Sequence, residues 1–246
     1  MPLLAGAHTS GSVLDVPQSE ARRGPLHEDH EALGAKFGDF AGWLMPLEFD
    51  GGGVLAEHSA VRQRVGLFDV SHMGTFVVSG SGAKDGLNEV FTNDLNRISA
   101  GQAQYSLLCN ERGGVIDDVF VYLAADDRII VVPNAANASI VIGTVERVLE
   151  SSDVRVEDRS KSTAIIAVQG PASQQVIEAV GLPGDLDYLR FVELDTDNGH
   201  VLVARTGYTG ERGYELLVDA AAAQYWWGQL RVHAEALGGR PCGLGG

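Results

Sequence analysis

The chain has 246 residues and sets 18 Lys and Arg against 33 Asp and Glu, a formal net charge of −15. That balance excludes a basic nucleic-acid surface, and 45% apolar with 7% aromatic residues provides for a buried core and excludes a disordered chain. No apolar run approaches the roughly 18 residues of a membrane span, and Pro2–Ala7 is too short for a signal-peptide core. The sequence reads as soluble and cytoplasmic. Its cysteines, Cys109 and Cys242, form no redox or ligand spacing, so folding rests on packing and not on a disulfide framework or a Cys-built zinc site.

Residues 1–24 mix Gly, Ser, Pro, Gln and charge without a period and read as a flexible leader, with ordered sequence expected from Pro25. Between Pro25 and Val65, helical stretches such as Leu55–Val65 flank a bend at Gly51-Gly52-Gly53. A strand over 75–79 and a helix over 82–91 come next. Strands over 104–109 and 115–123 follow, joined by Asn110-Glu111-Arg112-Gly113-Gly114, whose paired glycines suit the positive φ angles of a hairpin. A strand over 128–132, a helix over 135–150 and a short strand over 153–157 complete this run. A similar order then repeats: strand 163–168, helix 171–181, strands near 190–195 and 200–205, strand 214–218 and helix 219–236. The repeated order resembles a duplicated split βαβ plan, although the halves share no apparent sequence identity.

Gly80-Ser81-Gly82-Ala83-Lys84-Asp85-Gly86 lies between a strand and a helix, where a dinucleotide fingerprint would sit. Its spacing is one residue too long and hairpin-like strands follow, so it reads as an ordinary strand-to-helix turn. His27 and His30 can share one helical face, but no third metal ligand is evident, and they read as solvated residues at a helix start. In the strand from Val115 to Tyr122, alternation sets Ile116, Asp118, Phe120 and Tyr122 on one face and Val115, Asp117, Val119 and Val121 on the other. Solvent or the amides of the nearby turn account for at least one of the two adjacent Asp residues. Asp118, among aromatics, is the candidate for a partly desolvated carboxylate with a raised pKa. The segment Arg205-Thr206-Gly207-Tyr208-Thr209-Gly210-Glu211-Arg212-Gly213-Tyr214-Glu215 spaces three glycines by three among tyrosines, carboxylates and arginines. It suits a loop bent around a flat ligand, with a ring to stack and a carboxylate for paired N–H donors, and suits equally a Gly-rich hairpin. The sequence contains no phosphate loop, nucleophile elbow or zinc motif.

The blocks FAGWLMP (40–46), VGLFDVSHMG (65–74), TNDL (92–95), QYSLLCNERGGVIDDVFVY (104–122), VPNAAN (132–137), VQGP (168–171) and RTGYTGERGYEL (205–216) occur in one order. Together, from about residue 25 to the last, they resemble the aminomethyltransferases of the glycine cleavage system, the T-proteins. The resemblance implies an α+β folate-binding fold in which a ferredoxin-like unit (74–158) packs against a second, discontinuous α+β domain (25–73 and 159–246), with a C-terminal barrel domain to follow. It implies an enzyme, an aminomethyltransferase that passes the one-carbon unit of the aminomethyl group on the lipoyl arm of the H-protein to tetrahydrofolate and releases ammonia. Its partners are then lipoylated H-protein and tetrahydrofolate, with no metal, nucleic acid or membrane.

Carried over by motif, Asp118 resembles the catalytic carboxylate, Tyr208 and Glu215 look like pterin contacts, and Met73, Tyr105 and Asn134, joined by Tyr122, match positions lining the folate cavity. Arg205 is expected to organise its loop. The folate domains of sarcosine and dimethylglycine oxidising enzymes share the fold but commonly lack the His of the SHMG block, so His72 favours the T-proteins. The folate-binding protein of iron–sulfur repair carries a Cys-containing motif in place of Arg205-Thr206-Gly207-Tyr208. The given sequence stops at Gly246 where the family continues with an Ala-Arg-Asp segment, whose Arg contacts folate, and the barrel. The expectation is therefore that about a third of a typical member is absent, with a non-catalytic folate-binding fragment as the alternative.

Overall fold

The computed structural model describes residues 21–150 and 153–246. The described chain begins with β1 (Arg22–Arg23), α1 (His27–Ala32), a hairpin of β2 (Ala35–Phe40) and β3 (Trp43–Phe49), α2 (Gly53–Gln63) and β4 (Gly66–Asp69). Two runs of one order follow. The first is β5 (Phe76–Ser79), α3 (Ala83–Val90), β6 (Gln102–Cys109), β7 (Val115–Ala125), β8 (Arg128–Pro133), α4 (Ala138–Leu149) and β9 (Arg155–Asp158). The second is β10 (Thr163–Gln169), α5 (Ser173–Ala179), β11 (Phe191–Thr196), β12 (Gly199–Ala204), β13 (Gly213–Asp219), α6 (Ala223–Ala236) and β14 (Arg240–Pro241). The sheets repeat the same topology: β6-β7-β8-β5-β9 in the first, and β11-β12-β13-β10 in the second, with β4 inserted between β10 and β14. β1, β3 and β2 form a third, small sheet.

Period-two alternation makes each large sheet two-faced. In the five-stranded sheet Phe76, Val78, Val119, Val121, Leu123, Ile129 and Val131 turn to α3 and α4, where Leu87, Val141 and Val145 close one core. In the six-stranded sheet Leu67, Ile166, Val168, Val203 and Leu216 turn to α5 and α6 and pack on Ile177, Trp226, Trp227 and Leu230. The remaining faces meet each other through Val77, Tyr122, Ile130 and Val132 on one side and Ile165, Phe191, Leu202 and Leu217 on the other. The fold is thus α+β, four layers deep, with a sheet-on-sheet interface at its centre. Full burial contributes roughly 1.5–3 kcal/mol per Val, Leu, Ile or Phe side chain, so all three cores matter to stability.

In the N-terminal quarter two readings change and one element is added. Before the triple-glycine bend only His27–Ala32 is helical: 35–49 form a hairpin, with Phe40 paired to Trp43 across the two-residue loop Ala41-Gly42. Both loop residues have positive φ (54° and 78°), as a primed turn requires, and Ala is a poor advertisement for that conformation. Gly66–Asp69 is a buried strand, wedged between β10 and β14. Order also begins before Pro25, because Arg22–Arg23 pairs in parallel with Trp43 and Leu44; the rest of the expected leader, residues 1–20, lies outside the described residues. At the Gly80 turn a Cβ would meet the carbonyl oxygen of Asp153 at 2.2 Å, so close backbone packing explains that glycine. Among the described residues no helix is long and apolar enough to cross a membrane.

Candidate functional site

Where the two large sheets part at one end of their interface, a cavity of about 320 Å³ opens. The inner face of β7 supplies Asp118, Phe120 and Tyr122, β6 supplies Tyr105, and the segment after β8 supplies Asn134, Ala135 and Ala136. From the opposing sheet come Ile165 on β10 and Glu215 and Leu217 on β13. Val70, His72 and Met73 line the crossover from β4, Tyr208 the loop before β13, and Phe40 and Leu244 the rim. All seven residues singled out from the sequence, Met73, Tyr105, Asp118, Tyr122, Asn134, Tyr208 and Glu215, therefore border one space.

The cavity holds two carboxyl groups in different surroundings. Asp118 Oδ2 accepts hydrogen bonds from the hydroxyls of Tyr105 (2.8 Å) and Tyr208 (2.9 Å), which also lie 2.9 Å from each other, and Oδ1 accepts from Asn134 Nδ2 at 3.2 Å. This cluster joins the two sheets, since Tyr208 belongs to the six-stranded side. The bond with Tyr208, then burial and the negative charge of Asp118, push the Tyr105 phenol well above its ordinary pKa. The Tyr105 bond pulls the Tyr208 phenol down, but its bond to Asp118 and burial outweigh that and leave it raised.

Glu215 has its side chain among Leu217, Ile165 and Tyr122, and burial raises its pKa against the opposing pull of hydrogen bonds from Thr206 Oγ1 and the Tyr122 hydroxyl. Desolvation thus lifts a carboxyl in this cavity that the sequence had not singled out for it, that of Glu215. Burial, and secondarily the Glu215 carboxylate, drives the Tyr122 phenol far above its ordinary value.

Asp117 faces the other way, 2% exposed, and is held neither by solvent nor by the hairpin amides. Its Oδ2 accepts the Asn134 backbone N–H (2.9 Å), and Oδ1 accepts the side-chain amides of Asn134 (3.1 Å) and Asn137 (2.7 Å) at the start of α4. Asn134 bridges both aspartates, donating also to the Asp118 carbonyl at 3.0 Å.

The glycines of the 205–213 loop also receive a different explanation from a ligand's close approach. A Cβ on Gly207 or Gly213 would lie 2.2 Å from the buried Gln169 side chain. That side chain ties the loop together, donating to the Thr206 and Tyr214 carbonyls and accepting from Thr209 Oγ1. Arg205 donates to the Leu186 carbonyl at 3.1 Å. Gln169 and Phe40 stood in the sequence only as members of the VQGP and FAGWLMP blocks, and Leu217 and Leu244 carried no signal, because each reaches the site or its loop only through tertiary packing.

His27 and His30 are buried and not solvated. His30 Nε2 lies 2.9 Å from Asp69 Oδ2 and packs edge-on against Trp227 and Phe49, while His27 lies 3.4 Å from Glu31. Burial pushes the Asp69 carboxyl up, but the His30 and Ser71 hydrogen bonds outweigh it and hold the pKa below the ordinary value. Among the described residues no group of His, Cys, Asp and Glu could hold a metal ion.

The fold is that of an α+β protein with a cavity between two sheets of duplicated topology. The chain belongs to the GCVT N-terminal domain family, whose model matches residues 26–246. It is 49% identical over 226 residues to the aminomethyltransferase of Parafrankia sp. (92% of this chain, 62% of that protein). It is 46% identical over 231 residues to the aminomethyltransferase of Mycobacterium tuberculosis strain H37Rv (94% of this chain, 62% of that protein). It thus spans about three fifths of the length of these curated relatives. Among solved structures it resembles the glycine cleavage system aminomethyltransferase T from Bartonella henselae, with a TM-score of 0.84 and 35% identity over 91% of this chain and 60% of that one. The heterotetrameric sarcosine oxidase from Corynebacterium sp. U-96 shares the fold at a TM-score of 0.57 and 17% identity, covering 88% of this chain and 96% of that one.

Proposed function

We propose that these residues form the folate-binding part of an aminomethyltransferase of the glycine cleavage system, one that transfers the one-carbon unit from the aminomethyl-lipoyl arm of H-protein to tetrahydrofolate with release of ammonia. The two α+β units, 74–158 on one side and 25–73 with 159–246 on the other, act in this reading as the domains that enclose the ligand. The observation that carries it is the pairing of two carboxyl groups with aromatic walls in one cavity: Asp118 at a tyrosine cluster and Glu215 in apolar surroundings. A pterin fits that donor set. Its amino and ring N–H groups match the Glu215 carboxyl, whose Oε1 takes no hydrogen bond among the described residues, and its flat ring matches Tyr208, Phe120 and the aliphatic wall of Met73 and Leu217.

In this reading Asp118 is the catalytic residue. The attacking amine must lose a proton as positive charge develops on the migrating carbon, and a fixed carboxylate nearby favours both changes. Tyr105, Tyr208 and Asn134 hold that carboxylate in place through neutral donors, without a cation that would cancel its charge. The test is ammonia release from aminomethylated, lipoylated H-protein by the protein carrying these residues, with and without tetrahydrofolate. Acceleration by tetrahydrofolate is expected; release that ignores it refutes the assignment.

A further inference from the structure

His72 lines the cavity at the crossover from β4 to β5, is 5% exposed, and stands edge-on to Phe40 with ring centroids 5.2 Å apart. Among the described residues, every other side-chain N–H or O–H donor lining the cavity is already committed to protein. Tyr105 and Tyr208 bond to Asp118, Tyr122 to Glu215, and Asn134 to both Asp117 and Asp118. His72 differs, because its Nδ1 is sealed from solvent and has no hydrogen-bond partner among the described residues.

A sealed nitrogen without a partner constrains the tautomer. An orphaned, buried N–H is rarer and less favourable than an orphaned lone pair, so the ring proton belongs on Nε2, the nitrogen left for the cavity. Burial also holds the imidazole below its ordinary pKa, against the opposing charge of Asp69, and so keeps it uncharged at neutral pH. An uncharged imidazole with one proton is a single, oriented donor in apolar surroundings, where a hydrogen bond is worth most.

We propose that His72 is a ligand-binding residue whose neutral Nε2–H meets a hydrogen-bond acceptor on the molecule occupying the cavity. The site then selects a ligand that brings donors to the Glu215 side and an uncharged acceptor, a carbonyl oxygen or an amine lone pair, to the β4–β5 side. The choice of tetrahydrofolate as probe rests on the function proposed above; the tautomer does not.

The first measurement is therefore long-range proton–nitrogen NMR of His72 in the ligand-free wild-type protein at neutral pH. Protonated Nε2 with bare Nδ1 is expected, and the Nδ1–H tautomer or an imidazolium overturns the proposal. The second is tetrahydrofolate affinity by titration calorimetry. His72→Phe keeps the ring but removes the donor and should weaken binding about tenfold, the effect of one unmade hydrogen bond. His72→Gln, whose amide nitrogen reaches the Nε2 position, should recover most of the loss, whereas His72→Asn, which reaches only the Nδ1 position, should not. Wild-type affinity in the Phe variant, or equal rescue by Asn and Gln, overturns the proposal. If the wild type itself does not bind tetrahydrofolate, the functional reading fails and the NMR result alone decides His72.

Discussion

Asp117 and Asp118 are adjacent in sequence, chemically identical and opposite in surroundings, so Asn substitutions at the two positions should separate stability from catalysis. Three N–H groups converge on the Asp117 carboxylate, which is out of contact with water. An Asn amide offers one acceptor oxygen and one NH₂, so either the backbone of Asn134 or the side-chain amides of Asn134 and Asn137 end up facing a donor. With about 1.5–3 kcal/mol for each hydrogen bond to a buried charge, one or two lost bonds amount to about 2–5 kcal/mol. For a chain of this size that lowers Tm by roughly 5–15 °C. Asp118→Asn should cost about 1 kcal/mol or less, since Tyr105 and Tyr208 are both exposed and their hydroxyls can turn to water. Its turnover should nevertheless fall by about a hundredfold or more with folate affinity nearly unchanged, the signature of a group acting in the transition state. Thermal denaturation, calorimetric folate titration and the ammonia-release assay decide this together. The reasoning is refuted if Asp117→Asn melts with the wild type, or if Asp118→Asn loses binding in proportion to turnover.

Glu215→Gln should weaken tetrahydrofolate binding by roughly 10- to 150-fold, the loss of a charge-assisted acceptor. Because burial raises the Glu215 pKa, wild-type affinity should decline as pH falls through that raised value, while the Gln variant stays flat. In the free protein the sign reverses: the folded state takes up the Glu215 proton more readily than the unfolded chain. Ligand-free wild type should therefore gain stability on acidification through this range, a gain the Gln variant lacks in pH-dependent melting. Tyr208→Phe keeps the ring but frees Asp118 Oδ2 of one donor, so it should lower kcat with little change in folate affinity, whereas Tyr208→Ala should raise Kd; identical profiles would deny the ring a binding role. His30→Ala leaves the buried Asp69 carboxylate without its imidazole and should destabilise by about 3–5 kcal/mol in denaturant titration. Since the folded-state pKa of Asp69 is depressed, the stability it contributes should be present above its unfolded pKa and lost as pH falls through the folded value, and that acid limb should vanish in an Asp69→Asn variant.

Much of the architecture was legible because it rests on local rules. Period-two alternation in β7 assigned Asp118, Phe120 and Tyr122 to one face and Asp117, Val119 and Val121 to the other, and each lies there because a strand cannot present neighbours on one side. The glycine pair after Asn110 marked the β6–β7 hairpin through the positive φ of Gly113, and the order of elements announced the duplicated plan before any contact was known. The ordered blocks identified the family and brought seven candidate site residues together in advance of any geometry.

What tertiary structure decided are properties that depend on which surface covers a residue. His27 and His30, polar in sequence and near a helix start, are buried because the aromatic rings of Phe37, Phe49 and Trp227, brought from distant segments, close over α1. The β2–β3 hairpin eluded pattern reading because its turn puts an alanine, and not Asn or Asp, at a positive φ. The desolvation of Glu215 carried no signal in the sequence, because the packing of the two sheets buries that face of β13. The same holds for His72: the sequence marks it only as part of the SHMG block, and the packing of two sheets brings it to the cavity with Nδ1 sealed and, among the described residues, unpartnered. Secondary structure follows from interactions within a few residues, whereas burial, and with it the pKa and hydrogen-bonding state of every site group, is set by segments far apart in the chain.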